Sequence, residues 1–102
     1  MRAVGYLVLA VVVALAACAE DGGPAGRGRH VYLAQCTACH NSDPSKDGPL
    51  GPAIKGSSRE LLEARVLHGA YPPGYKPKRA TAIMQPMPHL APNIPDLTAF
   101  LK

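Results

Sequence analysis

The sequence predicts an all-α domain of three main helices, with a long loop before the last of them. Three observations predict it. Apolar residues recur at helical spacing in three separate stretches, with cap or stop signals at their ends. Pro and Gly together number 21 of 102 residues, which reads as long connecting loops in one small domain. Aromatic residues are scarce, with one Phe, four Tyr and no Trp, so a core made of protein alone would be thin. A further core component is therefore expected.

The first residues stand apart from the rest. Arg2 is followed by an almost wholly apolar run, Ala3 to Ala17. That run is short for a membrane-spanning helix and suits a secretory leader, so it is excluded from the fold. It ends in Leu15-Ala16-Ala17-Cys18, which resembles the lipobox of bacterial lipoproteins. The resemblance implies cleavage before Cys18 and lipid on Cys18. An ordinary signal peptide or an uncleaved anchor are the competing readings. The expected organisation is a leader over 1–17, a tether over 18–25 and a folded domain over 26–102. A tether of that length reaches at most about 25 Å, which keeps the domain close to a membrane surface.

The first helix is expected over Gly26 to Ala38, with Val31, Tyr32 and Ala34 apolar. Asn41 to Gly56 is rich in Pro, Gly, Asp and Ser and reads as a loop. Ser57 or Ser58 is a suitable N-cap for the middle helix. Glu60 falls in its first turn, Leu61, Leu62, Val66 and Leu67 follow at helical spacing, and Gly69 ends it. Ala70 to Pro88 holds five prolines and little periodicity. Pro92 to Leu101 reads as the last helix, with Ile94, Leu97, Phe100 and Leu101 apolar.

The chemistry lies where the first helix is expected to end, in Cys36-Thr37-Ala38-Cys39-His40. Two cysteines about one helical turn apart can both reach one porphyrin edge, and the adjacent His then lies under the iron. Zinc would need a second ligand pair, and the only other cysteine is Cys18. A redox dithiol would need a strand–helix–strand context that the pattern does not offer. One covalent haem c, with iron, is the expected cofactor. Cys18 to lipid and Cys36 and Cys39 to haem then account for all three cysteines.

With those residues the mature segment resembles the class I cytochromes c. Gly28, Tyr32 and Cys36 follow one another at intervals of four, as in that family's first helix. Gly51-Pro52 follows His40 at the family's spacing, with Gly48-Pro49 the weaker candidate, and Gly56 follows in turn. Leu97 and Phe100 match the pair on the family's last helix. The resemblance implies the cytochrome c fold, with three main helices around the haem and the N- and C-terminal helices crossing at Gly28. It implies His40 as one axial ligand, oriented by the carbonyl of Pro52. It also implies a Met as the other ligand. Met84 is preferred from its distance to Phe100, Met87 is the alternative, and His89 or an open site comes last. His30 and His68 are expected on the surface. Tyr71, Tyr75, Lys76, Lys78 and Arg79 are the candidate partners of the propionates.

The implied function is single-electron transfer in an extracytoplasmic respiratory chain, without catalysis. Two alternatives remain open: a haem-based sensor or peroxidase-like enzyme with an open sixth site, and an electron-delivery subunit of a larger oxidoreductase. Without Arg2 the mature segment keeps 10 Lys and Arg against 7 Asp and Glu, a mild positive balance. That suits a redox partner with an acidic docking face. With no basic run carrying interleaved aromatics, nucleic acid is not an expected partner. The expected location is the periplasmic side of a membrane, held through lipid on Cys18. Ala19 slightly favours the outer membrane.

Overall fold

The computed structural model describes residues 22–102. The leader over 1–17 and the lipid expected on Cys18 lie outside the described residues, as does the first half of the tether. The described chain is all-α, with no strand. Helix α1 spans Pro24–Gln35. Helix α2 spans Arg59–Leu62 and continues without a break into a π turn, Glu63–Leu67. A 3-10 segment, Pro88–Asn93, leads into α3, Ile94–Leu101.

Each element has a local cause. Helix α1 starts at Pro24 rather than Gly26, because a proline at the first turn loses no intrahelical bond and its φ is already helical. It ends at Gln35, three residues before the expected end, and the cysteine run turns away from its axis. Helix α2 is capped by Ser58, whose side chain accepts from Leu61 N–H at 3.1 Å. The α-helix expected from Pro92 is instead 3-10 up to Asn93. Pro95 has no N–H to give Ala91 O, so that carbonyl takes the N–H of Ile94, three residues on.

The core is small: Tyr32, Leu62, Val66, Leu90, Ile94, Leu97 and Leu101 are its buried side chains. Leu62 and Val66 are four apart on α2 and the π turn. Ile94, Leu97 and Leu101 form one stripe of α3. The main helix–helix contact is α1 on α3. At the crossing, a Cβ on Gly28 would sit 2.0 Å from Asp96 O, so the two backbones touch only because residue 28 is glycine. Tyr32 and Phe100 meet one turn along, with ring centroids 5.4 Å apart. Arg27 and Asp96 pair at 3.1 Å beside the crossing. Gly56 N–H donates to Leu101 O at 2.5 Å, which ties the middle of the chain to the end of α3.

Candidate cofactor site

The site begins in the turn that ends α1. Cys36 N–H still donates to Tyr32 O at 2.9 Å, and His40 N–H then donates to Cys36 O at 2.9 Å. Cys36 to His40 is therefore a single turn. Both sulfurs and the imidazole lie on the wall of one cleft. The Tyr32 hydroxyl donates to Asn41 O and fixes the far end of the turn to the core.

The following loop folds back onto this turn. Leu50 and Gly51 N–H both donate to Cys39 O, at 3.2 and 2.9 Å. Gly51 lies flat against the imidazole: a Cβ there would come 2.5 Å from Cε1 of His40. Nδ1 of His40 is 2.9 Å from the carbonyl oxygen of Pro52. A carbonyl can only accept, so Nδ1 carries the proton and Nε2 is left with its lone pair for another partner. The neighbouring Pro49 does not supply this carbonyl.

The cleft encloses about 1020 Å³ of space not filled by protein, part of it open to solvent. Its wall is apolar along most of its length, with Leu50, Ile54, Leu61, Leu62, Val66, Ile83, Leu97 and Leu101. Met84 lines it; Met87 and His89 do not. Leu50 and Ile83 stay about half exposed, at 54% and 52%. His30, His68 and His89 are exposed on the surface.

One margin of the cleft is polar. Tyr71, Tyr75, Lys78 and Arg79 line it, whereas Lys76 lies outside. Tyr71 and Tyr75 stack with centroids 5.5 Å apart, and the guanidinium of Arg65 lies 4.3 Å over the Tyr71 ring. Lys78 Nζ donates to Ala53 O at 2.7 Å, and Arg79 pairs with Asp47 at 3.2 Å. These contacts join the loop after His40 to the loop that carries Met84. Arg65 went unnoticed in the sequence. Its one signal is that it follows Leu61 by four, on the face that reaches the cleft.

Burial, then the nearby Cys39, pushes the Cys36 thiol up to about 11, so it is a neutral thiol at physiological pH. Asp47 is held below the usual carboxylate range, first by the N–H of Ala53 and then by Arg79.

These residues fit an amphiphilic macrocycle. The long apolar walls match its faces, the two thiols and an imidazole stand together in one turn, and cations and phenols gather at one margin to meet carboxylates. Among the described residues no cluster of His, Cys, Asp or Glu is arranged to hold a bare metal ion. The cytochrome c family profile matches residues 25–102. A "Cytochrome c-553-like" protein of Synechocystis sp. is 32% identical over 83 residues, covering 78% of this chain and 69% of the relative. The chain belongs to the cytochrome c family. No solved structure matches. As a cytochrome c it takes one covalent haem c with iron, and Cys36 and Cys39 fit the attachment motif. Its role is that of an electron carrier acting with redox partner proteins. Among the described residues no helix is long and apolar enough to cross a membrane.

Proposed function

We propose that this cytochrome c is a single-electron carrier whose haem is held by Cys36, Cys39, His40 and Met84 and works outside the cytoplasm. The observation that carries the reading is the pair of contacts on His40. Gly51 fixes the plane of its ring and Pro52 O fixes its tautomer, which turns Nε2 into a directed donor. When bound, the haem supplies an iron that accepts and returns one electron. The chain's part is to hold and insulate it. Met84, on another segment of the same wall, offers a neutral thioether that favours the reduced state. Leu62, Val66, Leu97 and Leu101 exclude water from the faces. Arg65, Tyr71, Tyr75, Lys78 and Arg79, at the polar margin, would meet its propionates.

Two ligands on one iron leave no open site for a substrate, which favours carriage over catalysis. The basic margin and the half-exposed Leu50 and Ile83 suit a partner with an acidic face around an apolar centre. The apolar leader supports work outside the cytoplasm, where we place the carrier in a respiratory chain, and Leu15-Ala16-Ala17-Cys18 supports membrane attachment through Cys18. The intact mass of the mature protein tests haem count and acylation together. The ligand set is tested by the weak near-infrared sulfur-to-iron band of the ferric protein. Met84→Ala is expected to abolish it and Met87→Ala to retain it. A wild-type protein without the band would sink Met ligation.

A further inference from the structure

The middle helix ends in a way that frees one carbonyl. Where a helix closes on a left-handed glycine, either the glycine N–H bonds the carbonyl three residues back and the next N–H the carbonyl five back, or the glycine N–H alone bonds the carbonyl four back. Gly69 has φ +65. The first scheme would give Val66 O to Gly69 and Arg65 O to Ala70. Here Gly69 follows the second, and Ala70 reaches one residue further back than in the first. Gly69 N–H donates to Arg65 O at 3.2 Å, and Ala70 N–H to Ala64 O at 2.9 Å. The long reach of Ala70 to Ala64 O accompanies the π turn Glu63–Leu67. Val66 O, left without its helical partner, accepts from Met87 N–H at 2.6 Å instead.

We propose that this π turn is a positioning device for Met84. It offers Val66 O to Met87, three residues beyond Met84, and so anchors the ligand segment to the core. The inference rests on the reading of Met84 as the sixth ligand. Two further contacts support it. The Pro86 ring stands over Gly69, 3.7 Å from where a Cβ would be, and closes the segment onto the helix end. Val66 is itself a core residue, only 5% exposed, so its carbonyl has a fixed position. Upstream, the segment is tied by contacts at the surface, those of Lys78, Arg79 and the Tyr71–Tyr75 stack under Arg65. A thioether is a weak, neutral ligand, and how long it stays in place depends on how well its segment is held. Val66, Gly69, Pro86 and Met87 are thus positioning residues, with no direct contact to the iron required of them.

The test uses the haem-loaded protein and two readouts. Amide exchange should show Met87 N–H protected at least about 100-fold more than the amides of residues 80–83. Imidazole, added to the ferric protein, should displace the sixth ligand about fivefold faster in Pro86→Gly than in wild type. Pro86→Ala, a milder change at the same exposed position, should shift both readouts the same way by less. An unprotected Met87 amide overturns the proposal. So does an unchanged displacement rate in a Pro86 variant that melts earlier, since that marks a merely structural role. If wild type lacks the near-infrared band, the Met84 reading and this inference fall together. If the band is present and lost only in Met84→Ala while the Pro86 variants behave as wild type, the inference falls alone.

Discussion

Gly51 lies flat on the imidazole of His40, so close that a single added methyl would stand 2.5 Å from Cε1 and 2.7 Å from Nδ1. Neither side can give way freely. Gly51 N–H is bonded to Cys39 O, and Nδ1 is bonded to Pro52 O. Gly51→Ala is therefore expected to tilt the ring and weaken the Pro52 bond. The overpacking should cost about 1–3 kcal/mol of stability. Thermal unfolding measures the cost, and a raised reduction potential with a shifted haem spectrum reports the tilt, because a weaker Pro52 bond leaves His40 a poorer donor to ferric iron. A variant with wild-type spectrum and potential would show that Gly51 does not set the ring plane.

The helix crossing makes a second prediction. Gly28→Ala puts a methyl against the Asp96 carbonyl at 2.0 Å, and the obstacle is backbone. Helices α1 and α3 must move apart, opening the contact between Tyr32 and Phe100. We expect a loss of about 2–4 kcal/mol, or roughly 10–20 °C in melting temperature for a domain of this size. The haem spectrum of the folded fraction should shift too, because Tyr32 and Leu97 at the crossing also line the cleft.

Tyr32→Phe isolates one hydroxyl. The ring keeps its place against Phe100, while Asn41 O loses its donor. The expected cost is about 0.5–1.5 kcal/mol, read from denaturant unfolding. Because Asn41 directly follows His40, exchange at the His40 amide should quicken as well. Equal stabilities for the two proteins would mean that water replaces the hydroxyl.

The acid limb of stability should carry the signature of Asp47. Its carboxyl is held low by the Ala53 N–H and then by Arg79. A carboxylate with a lowered folded-state pKa stabilises above its unfolded pKa, and that contribution fades as pH falls through the folded value. Wild type is therefore expected to lose melting temperature between about pH 5 and 2, and Asp47→Asn to lose less over the same range. Asp43, lowered chiefly by the Ser45 side chain and N–H, keeps part of the slope in both proteins. Parallel curves would remove Asp47 from the account. The Asp47–Arg79 pair is exposed, so added salt should also shrink the difference.

Much of this architecture is visible in the chain itself, for a physical reason. The intervals Gly28–Tyr32–Cys36 and Leu97–Phe100 are helical, and a helix converts spacing directly into a shared face. The cysteine run depends on one turn, so its geometry is local too. What the sequence hides is set by contacts between distant segments. The π turn at Glu63–Leu67 leaves Leu62 and Val66 at ordinary helical spacing, and its mark is a bond to Met87. Leu90 lies between Pro88 and Pro92, where no periodicity survives, yet it is 5% exposed. Arg65 reads as a solvated charge until Tyr71 folds beneath it. The two methionines differ by three residues in sequence, and only the fold puts Met84 on the cleft wall and leaves Met87 off it.

The contact between α1 and α3 has a consequence for how the protein is made. Arg27 and Asp96, which pair at this contact, are 69 residues apart. Closing so long a loop is slow and must precede the reward of the buried interface. A chain emerging from the ribosome cannot form it until its final helix is released. Until then the core is unsealed on the α3 side, and the cysteine turn stays open to whatever attaches the haem.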